Sequence, residues 1–186
     1  ENTFPIFEPG DELGRKGVFQ IANGAHVYLN GIFECYDKML TLLFNGQMLC
    51  DEVFKLLRSE YGCFGIIVDH PNFLFASVDR LRSYPVYYSQ YNNELIISNS
   101  ADKLRSHCAL QTINHQSLLE FNMTGYVFNR ETLYQDLYQL QAGECVFWKK
   151  SSKKLQIKRY YRYISVVSIH APARGATPGK AVTRWG

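Results

Sequence analysis

Thiols are the strongest nucleophiles a chain can offer, and this one has five: Cys35, Cys50, Cys63, Cys108 and Cys145. They form no C-x-x-C pair, so the odd set fits neither a disulfide framework nor a zinc ribbon, and a reducing compartment is the default. A thiol attacks only when its proton is taken or its pKa is lowered. Cys35 lies inside the chain, just past an Asn-Gly pair and with no free amine to act as its base. It is expected to be structural, as are the other four. The five histidines show no H-x-x-x-H or His-carboxylate spacing, so no metal centre is expected. Gly24, Gly31 and Gly65 stand singly and cannot make a phosphate loop. Lys103 and Arg105 read as a solvated helix face. The basic run Lys149, Lys150, Lys153, Lys154, Lys158, Arg159 and Arg162 brackets a turn at Ser151-Ser152, where solvated charge is expected rather than a polyanion site; the role of this basic hairpin stays open.

Net charge narrows the partners. Lys and Arg number 20 against 17 Asp and Glu, and Arg174, Lys180 and Arg184 near the C-terminal end account for the whole excess. Residues 1–164 are therefore balanced, which removes the electrostatic case for nucleic-acid binding. No stretch approaches the roughly 18 continuous apolar residues of a membrane span, and no signal pattern opens the chain. A cytoplasmic location without membrane contact is the expectation. Aromatic residues at 15% suggest a strand-rich, ordered domain.

The elements that must position these groups follow from periodicity. Residues 1–16 hold Pro5, Pro9, Gly10 and Gly14 without a period and are expected to form an irregular lead-in. From Gly17, short β-forming runs are closed by Asn23-Gly24 and again by Asn30-Gly31, two hairpin signals. Met39, Leu42 and Leu43, then Val53, Phe54, Leu56 and Leu57, have helical spacing and are separated by Asn45-Gly46, so two short helices are expected. CFGIIVD, FLFASVD, YPVYYSQ and ELIISNS, joined by turns at His70-Pro71-Asn72 and Asn92-Asn93, predict a four-stranded antiparallel meander. Asn114 caps a short helix in HQSLLEF. GECVFWKK and KLQIKRYY form a last hairpin. The class is α+β with antiparallel sheet, in one domain over 17–164. Residues 165–186 lack apolar period and are expected to be a disordered tail; SIHAPARGAT resembles a translated CRISPR repeat, so an artefact of reading frame or assembly is the expectation for this end, with an ordinary flexible linker as the alternative.

From Tyr61 onward the order YGCFGIIVD, LFASVDRLRSYPVYY, ELIISNSADKL, TGYVFNRETLYQDLYQLQAGECV and RYY resembles the N-terminal glutamine amidotransferase domain of the asparagine synthetase family. The resemblance spans Tyr61 to Tyr161. It implies the four-layer αββα sandwich of N-terminal-nucleophile (Ntn) hydrolases. In an intact member, removal of the initiator Met exposes a Cys that attacks the glutamine amide while its own α-amino group serves as base. The ammonia released then passes to an ATP-dependent synthetase domain.

Against that pattern the sequence departs in several places. No Cys stands near Glu1, so the catalytic nucleophile is absent from the chain as given. The family's N-G-E-x-Y-N turn supplies an oxyanion hole from its Asn side chain and Gly N–H. Asn30 and Gly31 match it, with Ile32 in place of the Glu, and a relict oxyanion turn is expected there; a plain hairpin turn accounts for the pair equally well. CDEVFKLL resembles the family's G-S-D-x-E-V turn with Glu52 and Val53 in register, which makes Asp51, one position off, a candidate relict ligand of the glutamine ammonium. A helix N-terminal acid is the alternative. Asp79 and Arg80 fall where the family has its R-D-R strand end, and are expected as a structural acid-base pair. The family's S-G-G-x-D-S segment for ATP is missing, so no cofactor is expected in this chain, and ATP and Mg²⁺ are assigned to a synthetase domain acting in cis or in trans. The expected function is an amidotransferase-like scaffold without glutaminase activity, as in β-lactam synthetases and lasso-peptide cyclases. A fragment of an active asparagine synthetase with its nucleophile upstream of Glu1, binding glutamine once that front is restored, and a non-catalytic interaction module of the same fold are the two alternatives.

Overall fold

The computed structural model describes residues 18–22, 24–46 and 51–162, and for 18–22 the backbone course alone. The expected lead-in and tail, and Cys50, lie outside the described residues.

β1 (Val18–Ala22) and β2 (Ala25–Gly31) pair antiparallel around Gly24, whose φ of +73° suits an Asn-Gly turn. α1 (Tyr36–Phe44) and α2 (Asp51–Ser59) are the two expected helices. Met39, Leu40 and Leu43 on α1, and Val53, Leu56 and Leu57 on α2, face inward at helical spacing. β3 (Phe64–Asp69) and β4 (Phe73–Val78) form one hairpin, and β5 (Tyr87–Tyr91) and β6 (Glu94–Ser98) another. Ser100 caps α3 (Ala101–His107) through Lys103 N–H. Asn114 caps α4 (His115–Thr124), its Oδ1 accepting from Ser117 N–H at 3.2 Å, and Gly125 at φ +82° ends that helix in the left-handed region. β7 (Tyr138–Gln139), β8 (Glu144–Lys149) and β9 (Lys154–Arg159) complete the described chain.

The class is mixed α+β with antiparallel sheets, as expected. Four strands do not form one meander, however. A six-stranded sheet runs β1-β2-β3-β4-β8-β9 and a separate three-stranded sheet runs β6-β5-β7. β4 takes β8 as its second neighbour, Phe75 opposite Phe147, and the chain crosses to the smaller sheet over residues 79–86. Pro85, without an N–H to donate, lies in that crossing, and the strand starts only at Tyr87.

Both faces of the large sheet are covered, which is why β3 and β4 are buried at every residue. Phe64, Ile66, Phe73 and Phe75 point to α1 and α2. Ile67, Leu74, Ala76 and Val78 point the other way, toward Tyr88, Leu95 and Ile97 of the small sheet. Ile96 of that sheet packs in turn on Leu104 of α3. Strand alternation thus feeds successive residues into different clusters. Truncating a ring such as Phe75 to Ala costs about 3–5 kcal/mol in such a setting.

Candidate functional site

Asn30 and Gly31 are the last two residues of β2, and they sit inside a ladder rather than in a hairpin loop. Asn30 lies opposite Gly65 and Gly31 opposite Phe64 of β3, and Ile32 N–H donates to Cys63 O at 2.9 Å. The second hairpin expected at this Asn-Gly is therefore absent. What the pair shares with a turn is the need for glycine. Gly31 has φ +84°, and a Cβ there would lie 2.0 Å from Cys63 O and 2.6 Å from Tyr84 Cε2. Because bonds along an antiparallel strand alternate in side, the Ile32 bond to β3 turns the Gly31 N–H away from β3, toward the side on which β1 runs.

The Asn30 side chain projects on the face of β2 shared with Tyr28, two residues back, into the space between the sheets. Asn30 Nδ2 donates to Tyr28 Oη at 2.7 Å. Asn99, just after β6 in the other sheet, donates its own Nδ2 to the same oxygen at 2.9 Å. The three side chains tie the two sheets together at the end where β2 stops. Asn30 Oδ1 is buried with no hydrogen-bond partner among the described residues. The end of β2 therefore holds an amide with one of its two N–H bonds committed to a phenol and a backbone N–H directed to the β1 side.

Asp51 is not brought to this place. It is the exposed first residue of α2. The opposite end of that helix is the one beside β2: Glu60, buried, accepts Cys35 N–H at 3.2 Å and Gly62 N–H at 3.0 Å. Nine helical residues at about 1.5 Å each separate the two ends by roughly 12 Å.

Four cysteines are described, all of them free thiols. Cys35 is half-buried at the N-cap of α1. Cys108 is buried at the end of α3, and burial pushes its thiol up. His107 precedes it in sequence, yet is exposed on the last turn. Cys145 is buried in β8, and burial, then the Glu144 charge, push its thiol up to about 12. Cys63 is the exposed one, and its carbonyl is the group packed on Gly31. It borders a cavity of about 210 Å³ with Tyr61 and Arg80.

Asp79 and Arg80 do not pair with one another. Asp79, buried at the end of β4, accepts three backbone N–H groups: Phe64 at 3.0 Å, Leu81 at 2.7 Å and Ser83 at 2.9 Å. It does hold the strand to the following loop, by hydrogen bonds to the main chain. Arg80 instead lies between the rings of Tyr61 and Tyr161, 4.3 and 4.6 Å from their centroids, and donates to Arg58 O. Arg105 of α3 pairs with Asp102 at 3.1 Å.

The basic hairpin is likewise divided among acids. Lys150 pairs with Asp69 at 2.6 Å, Lys153 with Glu94 at 3.1 Å, and Arg159 with Glu144 at 2.8 Å. Sequence reading missed Tyr28, Asn99, Arg130 and Glu144. Tyr28 carried a usable sign, standing two residues before Asn30 on a strand and hence on its face. The Arg130–Glu144 contact, across 14 residues, carried none.

A family model described as "Glutamine amidotransferase domain" matches residues 38–161. No curated protein matches the sequence. Among solved structures the chain is similar to a glutamine phosphoribosylpyrophosphate (PRPP) amidotransferase from B. subtilis complexed with ADP and GMP, with TM-score 0.41 and 12% identity. It is also similar to a structure of the allosteric regulatory enzyme of purine biosynthesis, with TM-score 0.42 and 12% identity. Each similarity covers 78% of this chain and 31% of the other, so the chain spans less than a third of those proteins' length. No helix among the described residues is long and apolar enough to cross a membrane.

Proposed function

The chain belongs to the glutamine amidotransferase domain family, whose pattern it matches over residues 38–161, and from that membership we propose that residues 17–164 are the amidotransferase-like half of an asparagine-synthetase-like enzyme, retained as a scaffold and unable as this polypeptide to release ammonia from glutamine. The observation that carries the second part is the Asn30 amide. An oxyanion hole needs donors held open toward the position where negative charge develops. One of the two Asn30 Nδ2 N–H bonds is instead spent on Tyr28 Oη at 2.7 Å, and Asn99 holds that phenol from the facing sheet, which fixes the orientation of the amide. Asn30 and Gly31 are thus read as a relict oxyanion turn, keeping the glycine conformation while one of the two amide N–H bonds is engaged by the phenol.

The cysteines support the same reading. Two are buried with thiols raised by burial, which weakens them as thiolates at neutral pH. Asp51, some 12 Å along α2, remains an acid favoured by the helix dipole rather than a ligand of the glutamine ammonium. The succession of core clusters, from α1 and α2 through the two sheets to α3, supports the αββα sandwich of Ntn hydrolases. The order of strand motifs from Tyr61 to Tyr161 supports the asparagine synthetase branch.

In this reading ATP and Mg²⁺ act in a synthetase domain bound in cis or in trans, in the cytoplasm, and the domain described here gives that partner a packing surface. A long sequencing read across the native locus tests the assignment. An S-G-G-x-D-S segment downstream in the same frame, or in an adjoining gene, is expected. A different type of domain in that position would refute the synthetase assignment.

A further inference from the structure

Glu144 opens β8 with its side chain fully buried, at 0% exposure. Its Oε2 accepts from Arg130 Nε and from Gln141 N–H, both at 3.0 Å. Its Oε1 accepts from Arg130 Nη2 at 2.7 Å and from Arg159 Nη2 and Nε at 2.8 and 3.2 Å. Five donors saturate the carboxylate. Burial alone raises this carboxyl, but Arg130, the Gln141 N–H and Arg159 outweigh it and keep it below its ordinary range, so it is ionised at neutral pH.

Both arginines approach through the Nε–Nη2 edge, which directs Nη1 the opposite way. A guanidinium carries five N–H bonds, so each keeps three that Glu144 does not use. Their side chains stay 40% and 36% exposed. Arg162, itself exposed, lines the same solvent-open cleft of about 400 Å³ with Asn129 and Glu131. Three guanidiniums against the carboxylates of Glu144 and Glu131 leave the lining positive. A fully buried acid thus fixes two planar forks side by side and presents their unused edges to a cleft of small-molecule size.

We propose that this cleft is an oxoanion-binding site, with Arg130, Arg159 and Arg162 reading a phosphoryl or carboxylate group. Planar forks suit oxoanions better than lysine ammoniums do, since they can make two parallel charge-assisted bonds. The site is independent of the end of β2 and of any glutaminase chemistry. Two of its three arginines, Arg159 and Arg162, come from the basic run of the sequence, whose Lys150 and Lys153 are paired elsewhere, and the third, Arg130, comes from another segment.

Calorimetric titration of the full chain with inorganic tripolyphosphate, and separately with citrate, tests it. At least one is expected to bind saturably at one site per chain. Saturation by tripolyphosphate alone assigns the phosphoryl class, and by citrate alone the carboxylate class. Arg130→Ala risks unfolding by stranding Glu144, so the informative variants are Arg162→Ala and Arg130→Lys. Each is expected to weaken binding about tenfold, the loss of one charge-assisted bond. Lys154→Ala, exposed at the far end of β9, is expected to leave affinity unchanged. No saturation by either anion up to about 10 mM, or equal weakening by Arg162→Ala and Lys154→Ala, would overturn the proposal.

Discussion

Gly31 carries two demands at once, a left-handed backbone and the absence of a Cβ. Gly46 has a similar φ of +80°, and a Cβ there would meet no atom of the described residues within 4 Å, whereas at Gly31 a Cβ would strike the Cys63 carbonyl. The pair separates conformation from contact. Gly46→Ala is expected to cost about 1–2 kcal/mol from φ alone. Gly31→Ala is expected to cost at least about 2 kcal/mol more, because the obstructing atom is backbone and the strand must shift. Urea denaturation of the two variants checks this, and equal losses would contradict the packing described. The residue types at this site were legible in the sequence, and their role in the ladder was not. Asn-Gly between β-formers signals a hairpin locally, but pairing of Asn30 with Gly65 is fixed by a strand 35 residues away.

Among the elements, the helices and hairpins signalled by spacing and turn residues within the described chain formed because those choices are local, apart from the hairpin at Asn30-Gly31 and the pairing of β4 with β5 in the expected meander. The neighbours of β4 were not legible. Alternation in LFASV says that both faces are apolar, not that the free edge will take β8 in preference to β5. The crossing between sheets is secured instead by Asp79, whose carboxylate gathers the N–H groups of Phe64, Leu81 and Ser83. Asp79→Ala leaves three donors without that acceptor. A loss of about 3 kcal/mol or more is expected from chemical denaturation. A change under about 1 kcal/mol would mean that water or another group satisfies them. The acid-base pair expected here from the resemblance to an R-D-R strand end does not form, because the chain turns at this point, with Arg82 N–H donating to Asp79 O. Asp79 is taken up by main-chain donors while Arg80 goes to the rings of Tyr61 and Tyr161.

For the molecule as a whole, Glu144 joins the loop carrying Arg130 to the β8–β9 hairpin and so couples protonation to global stability. Its folded pKa lies below the ordinary 4.5, since the two arginines and the Gln141 N–H outweigh the opposing effect of burial. At a pH between the two values the unfolded chain binds more protons. The stabilisation is therefore complete above the ordinary carboxylate range and is lost as pH falls through the lower folded value. Tm is expected to be level from neutral pH to about 5 and to fall below it. Glu144→Gln is expected to cost about 1–3 kcal/mol at pH 7, because the two half-exposed arginines can hydrate once their charged partner is lost, and to flatten the acid limb. An unchanged acid limb in that variant would remove Glu144 from the account.

A scaffold that keeps the amidotransferase framework without its chemistry is tested most directly by ammonia release. The purified chain, incubated with glutamine and followed by an ammonia-coupled assay, is expected to give no release above a buffer control. Steady release that disappears with Cys63→Ala or Cys35→Ala would contradict the account and make an internal thiol the nucleophile.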